Sequence, residues 1–330
     1  MNVSAAATCV SAHRKKKILV VIIHEFFSAL INWVHFFLSR SGRKGLGDLF
    51  FLCIDDEPNE KLKLMLGVQC DAIITQGVFN SPLVSGAVLA ASQGVQSRIW
   101  LYRADMAAQL LSKGSDVLFA DIDAYWLRCP FPAIDALLAK GFDIVGSRGT
   151  FPDDVVARFN STLCLGFAYF RASAGNVQLL AAAVEAMRVM PYPDDQMYLN
   201  RKIYLDGKMA EMSQGEEKAG DRSALSIFLG VFGVGTNALR LALLPMAMAT
   251  RMCNGNTWET ATVAHCYSHD KLKRLKTKVH AARIVGLWKV RRDWENVFHQ
   301  RSKYLYNGTG LHDPSKLLAV LTASDYSTVE

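Results

Sequence analysis

Asp121 and Asp123, one residue apart and directly behind an apolar run, are the residue types in this chain best placed to do chemistry. Side chains alternate along a strand, so two acids with one residue between them point to the same side. Two carboxylates crowded together are costly without a cation between them. Hard cations such as Mg2+ and Mn2+ take carboxylate oxygens and leave positions open for phosphate. Gly114 ends the helical pattern before this stretch, and 117–120 reads as a buried strand. Open α/β sheets place ligands at the carboxyl ends of their strands, so the spacing offers a metal–diphosphate site.

The elements that must hold this pair can be read on either side of it. A strand at 18–23 is followed by a helix at 26–38; β-branched residues fill the first part and leave most of the second. The stretch 18–38 is also apolar enough for a signal anchor, with basic residues 14–17 before it, but strand followed by helix is the preferred reading and membrane association is not favoured. Next come a strand at 49–54, helical spacing at 60–66, a short strand at 71–75 and a helix at 84–112 interrupted near 94–97. Beyond the acids the pattern is a helical turn at 134–139, a strand at 142–147, an irregular loop at 150–160 and a strand at 163–171. An Ala-rich helix at 175–190 is broken by Pro191-Tyr192-Pro193. Residues 206–222 are polar and Gly-rich and read as a loop. Residues 223–249 are apolar, but Gly230, Gly233, Gly235, Asn237, Arg240 and Pro245 make them core strands instead of a membrane helix. Strands alternating with helices predict a doubly wound α/β architecture, one domain over 16–298 between tails at 1–15 and 299–330.

Composition narrows the partners. The chain has 330 residues, 51% of them apolar, and a net charge of +7 concentrated at 14–17 and 271–301, which suits an anionic ligand or surface. No finger, helix-turn-helix or RNA-binding signature accompanies those charges, so nucleic acid is not an expected partner. Seven cysteines include no Cys-x-x-Cys pair, and Cys253, His265 and His269 lack the second upstream Cys of a zinc finger. Sequons at Asn2, Asn160 and Asn307 are compatible with a secretory-pathway protein.

Leu118-Phe119-Ala120-Asp121-Ile122-Asp123-Ala124-Tyr125-Trp126-Leu127-Arg128-Cys129-Pro130-Phe131 resembles the nucleotide-diphospho-sugar transferase family, which includes plant cell-wall xylosyl and arabinosyl transferases. The match is an aliphatic strand, Asp-x-Asp, an aromatic and a turn ending in Pro. Further landmarks resemble the same family: Asn32-Trp33 in the first helix, Gly166 within 163–171, Asp195-Gln196 after the Pro break, and Ala264-His265-Cys266 with Lys271 and Gly286-Leu287-Trp288. Two positions depart from the pattern. Cys129 replaces the acid or amide before Pro130, and Cys164 stands where many relatives carry Asn two residues before Gly166.

The resemblance implies the glycosyltransferase A fold, a Rossmann-like mixed central sheet with helices on both faces. It implies a glycosyltransferase, hexosyl or pentosyl, moving sugar from a nucleotide-diphosphate sugar, a UDP-sugar first, to a glycan or glycoprotein acceptor with retention. By the same resemblance Asp121, Asp123 and His265 hold Mn2+ or Mg2+, with His269 as a fallback and Asp121 also ordering ribose or a metal-bound water. Lys271 meets the diphosphate, Arg98 and Arg103 lie near the donor phosphates, and Gly166 sits beside the donor sugar. Asp195 or Gln196 serves the back face of the sugar, with Asp194 as helix cap. Relatives imply Golgi residence; a cytoplasmic location is the alternative. Two other functions are open: a haloacid-dehalogenase-like phosphatase with Asp121 as nucleophile, in which Tyr125 stands where Thr or Val is usual, and a non-catalytic binding relative.

Overall fold

Lys16–Ile22 forms β1, the strand from which the parallel half of the molecule grows. The computed structural model describes residues 15–22, 27–41, 46–74, 95–190, 193–206, 210–212, 226–231, 238–250, 261–265, 282 and 287–290. β1 pairs in parallel with β2 (Leu49–Cys53) on one side and β4 (Asp116–Ala120) on the other, and β3 (Ala72–Ile73) adds beyond β2. A strand paired on both sides and covered on both faces carries an unbroken apolar run, which explains why 18–23 reads like part of a membrane span. The chain turns instead into α1 (Phe27–Ser41), and among the described residues no helix is long and apolar enough to cross a membrane.

The crossovers are ordered by local chemistry. Asp55 accepts from the Glu57 N–H at the start of α2 (Asp56–Leu66), and Gly67, at φ 65°, ends that helix. A Cys53–Cys70 disulfide ties the end of β2 to the segment entering β3. α3 (Val95–Ser112) stops before Gly114, also at positive φ, and delivers the chain to β4.

Past β4 the sheet becomes mixed. β7 (Thr162–Phe170) runs antiparallel to β4 and to β6 (Ile144–Gly149); β10 (Ala238–Leu243) is parallel to β6; β9 (Ser226–Val231) and β8 (Ala210–Met212) complete the far edge. The described strands give nine in the order β3-β2-β1-β4-β7-β6-β10-β9-β8. A small second sheet, β11 (Ala249–Thr250), β12 (Val263–His265) and β5 (Ala124–Trp126), stands beside it. Apolar side chains split by strand alternation. Leu118 and Ala120 of β4 join the core under α1, α2 and α4 (Phe131–Ala139). Val117 and Phe119 join the core under α3, α6 (Ala174–Arg188) and α7 (Asp195–Arg201). Helices thus cover both faces, as the α/β reading requires.

The segment 150–160, expected as an irregular loop, instead contains α5 (Asp153–Phe159). Asp153 and Asp154 favour its positive end and Arg158 its negative end, while Asn160 takes the left-handed conformation that closes it. α4 starts at Phe131, earlier than the expected 134, because Pro130 and Pro132 suit a first turn. The break expected near 94–97 is not there beyond 94: α3 is already helical from Val95 through 97, while 84–94, the tails save Lys15, and most of 206–222 lie outside the described residues.

Candidate active site

β7 extends beyond the end of β4, and the backbone groups that β4 leaves without a strand partner build the site. The last paired residues are Ala120 and Phe167. Immediately beyond, the Asp121 N–H donates to Gly166 O at 2.9 Å, and the Ala124 N–H closes a turn onto Asp121 O at 2.9 Å. Asp121 and Asp123 therefore flank a turn that leads from the large sheet into β5 of the small one, not the last positions of a strand. They still converge. Trp33 of α1 anchors the turn by donating from Nε1 to Ala124 O at 3.0 Å. Its neighbour Asn32 binds Leu287 O at 3.0 Å and the Lys289 N–H at 2.7 Å, a physical reason for the Asn-Trp pair.

His265 arrives from β12, whose antiparallel pairing with β5 sets it opposite Ala124. Its Nε2 lies 3.1 Å from Asp123 Oδ1 and 3.8 Å from Asp121 Oδ2. One ligand atom from each of Asp121, Asp123 and His265 falls within 4.8 Å of the others. Two carboxylates and an imidazole are the donor set of a hard or borderline divalent ion, so these residues fit Mn2+ or Mg2+. Gly166 is the cradle: a Cβ there would stand 2.1 Å from His265 Cε1 and 2.8 Å from Asp121 Oδ2. A glycine inside a strand is thus required by the close approach of the ring.

Electrostatics agree with the geometry. Burial works against a charged His265, but the Asp123 carboxylate and the Cys164 sulfur outweigh it and raise the imidazole to about 9. Behind the acids, Arg103 of α3 forms a fork on Asp195, with Nε to Oδ2 at 2.6 Å and Nη2 to Oδ1 at 2.9 Å, and reaches Asp121 Oδ1 through Nη1 at 2.8 Å. The Trp100 ring lies under its guanidinium at 4.4 Å. Burial pushes Asp195 up to about 6 against the pull of Arg103, which leaves the carboxylate ionised at neutral pH. Burial likewise opposes the charge on Arg103, yet Asp195 and Asp121 hold it protonated, with its pKa raised.

α7 covers the remaining edge of β7. Asp194 caps the helix by accepting from the Met197 N–H at 2.8 Å, as its residue type suggests. Gln196 accepts from the Leu165 N–H through Oε1 at 3.2 Å and donates from Nε2 to Phe151 O at 3.2 Å. Asn200, to which the sequence assigns no role in the site, satisfies both Leu163 N–H (2.7 Å) and Leu163 O (2.9 Å). Arg98 lies near enough to Tyr102 to act on it electrostatically. Lys271 and His269 fall outside the described residues. The structure thus joins Asp121, Asp123, His265, Gly166, Arg103 and Asp195 in one cluster, with Gln196 beside it. The Arg103–Asp195 fork, between residues 92 apart, has no local signal in the sequence.

A model of the nucleotide-diphospho-sugar transferase family matches residues 45–275. The chain belongs to that family. It is a glycosyltransferase with the glycosyltransferase A fold, and the phosphatase alternative falls with that membership. Among solved structures it resembles the bifunctional glycosyltransferase WbbM in its apo form, at 9% identity and a TM-score of 0.51 over 90% of this chain. The chain spans about half, 53%, of that protein's length. It also matches the galactosyltransferase LgtC in complex with donor and acceptor sugar analogs (12% identity, TM-score 0.44, 85% of this chain and 99% of that one). Mouse xyloside xylosyltransferase 1, apo form, matches at 11% identity and a TM-score of 0.42, over 76% and 97% of the two chains. No curated protein matches the chain by sequence.

Proposed function

We propose that this family member transfers a sugar from a UDP-sugar to a glycan or glycoprotein acceptor, with retention, using Mn2+ or Mg2+ held by Asp121, Asp123 and His265. The observation that carries this reading is the convergence of those three side chains, from the β4–β5 turn and from β12, to within 4.8 Å. An ion bound there offers Lewis-acid neutralisation of the leaving diphosphate.

The remaining work belongs to the chain's own groups. Arg103 holds Asp121 and Asp195 in fixed orientation, so Asp121 can order a ribose hydroxyl or water without losing its place. Asp195, buried and forked onto Arg103, acts here by positioning rather than by contact. Gln196 is half-buried, and its amide oxygen is steered by the Leu165 N–H to the position next to Gly166, which favours Gln196 for the contact at the sugar's back face. Lys271 and Arg98 complete the proposal as cations serving the diphosphate. The Cys53–Cys70 disulfide favours an oxidising lumen, such as the Golgi, over the cytoplasm.

The test is calorimetric binding of UDP, with and without Mn2+, to the wild type and to Asp123→Ala. Metal-dependent binding lost in the variant is the expected result. UDP binding that ignores both Mn2+ and the substitution would sink the metal assignment, and wild-type binding without turnover of any UDP-sugar would favour a non-catalytic binding relative.

A further inference from the structure

Positions 164 and 166 of β7 share one face of the strand, and both meet the His265 ring. Gly166 lies beneath Cε1, as its missing Cβ requires. Cys164 lies at the ring's edge, its Sγ 3.6 Å from Nδ1, within range of an N–H···S hydrogen bond. Cys164 is buried and forms no disulfide. Nε2, on the opposite edge of the ring, faces Asp123 and Asp121.

A neutral imidazole carries one proton on one of its two nitrogens. To ligate a metal, Nε2 must be bare, so the proton must sit on Nδ1, the nitrogen facing the sulfur. We propose that Cys164 is a positioning residue for His265. Its sulfur accepts the hydrogen bond from Nδ1–H, fixes the tautomer that leaves Nε2 bare, and keeps the ring from turning away from the two acids. Carboxylates and backbone carbonyls commonly fill this role behind a metal-bound histidine. A thiol fills it here without adding a third carboxylate to a site that already holds Asp121 and Asp123. The inference rests on the metal reading above.

Mn2+ titrated calorimetrically into wild type, Cys164→Ala and Cys164→Ser, with thermal unfolding of each, tests it. Cys164→Ala is expected to weaken Mn2+ binding roughly 10- to 100-fold, and Cys164→Ser, whose hydroxyl still accepts, to recover part of the loss at a similar unfolding midpoint. Wild-type affinity in both variants would overturn the inference. So would equal losses in both that follow their unfolding midpoints, which would make Cys164 a packing residue. If wild type takes no Mn2+, the metal reading fails by itself, and a metal-free readout then decides the tautomer. Long-range 1H–15N spectra at alkaline pH, where the ring is neutral, are expected in an Asp123→Ala background, which removes the carboxylate competing for the proton at Nε2, to place the proton on Nδ1 with Cys164 present and to distribute it between the two nitrogens with Cys164→Ala. The same tautomer in both proteins would refute the role of the sulfur.

Discussion

Asp116 and Asp121 stand at the two ends of β4, and the same residue type does opposite work at each. Asp116 is 1% exposed and has both oxygens occupied: the Tyr169 hydroxyl donates to one and the Ala172 N–H, at 2.6 Å, to the other. The side chain of Asp121 is 32% exposed, shares Arg103 with Asp195, and faces a second acid and a histidine. A buried carboxylate with its donors supplied specifies how β4, β7 and the approach to α6 fit together. A carboxylate left half open among like charges is a poor structural device and a good ligand.

Exchanging the two roles by mutation is the most direct way to break the contrast. Asp121→Asn is expected to lower sugar transfer about 10^3-fold, about 4 kcal/mol in the barrier, while denaturant unfolding stays within about 1 kcal/mol of wild type. Loss of stability comparable to the loss of rate would erase the distinction. Asp116→Ala should do the reverse. It leaves a buried hydroxyl and a backbone N–H without an acceptor, at a cost of about 3 kcal/mol in unfolding free energy, yet the folded fraction should retain its Mn2+ affinity and rate; a specific activity well below wild type would give Asp116 a part in the site.

The smallest expected effect sharpens the functional end. His265 is raised to about 9 in the metal-free protein, so at neutral pH a metal must displace its proton. Mn2+ affinity should therefore rise with pH up to about 9 and level off above it, with a slope approaching tenfold, or about 1.4 kcal/mol, per pH unit. Calorimetry in buffers of different ionisation enthalpy should find close to one proton released per ion at pH 7. An affinity flat across this range would mean that His265 is already neutral when the ion arrives.

Much of this site is legible in the sequence because its parts lie in short, locally patterned blocks. The acids follow an apolar strand, Gly166 interrupts another, and Asp194-Asp195-Gln196 follows a proline break. Their types and places suffice to suggest a metal and a helix cap. What is not legible is pairing across distance. Arg103 reads as one of two cations on a helix, and only the packing of α3 against α6 and α7 brings it to Asp195. Asn200 belongs by residue type to the family landmark at 194–200, but its job cannot be read there, because the backbone edge it satisfies exists only once β7 outruns β4. α5 is missed for another reason. Seven residues give too little periodicity to separate a helix from a loop, and its signals, two acids at the start and an Asn at the end, are those of turns as well.

The pairing of His265 with Ala124 also fixes when the Asp121–Asp123–His265 cluster can close. Cys164 precedes His265 by 101 residues, and the acids come earlier still, so the ribosome has delivered β1 to β7 before it adds the third member of the cluster. A growing chain can assemble the parallel sheet and both carboxylates as they emerge, yet it holds an incomplete site until β12 returns to β5. A chain cut off before residue 265 keeps the strands of that sheet and lacks the histidine that closes the cluster with Asp121 and Asp123.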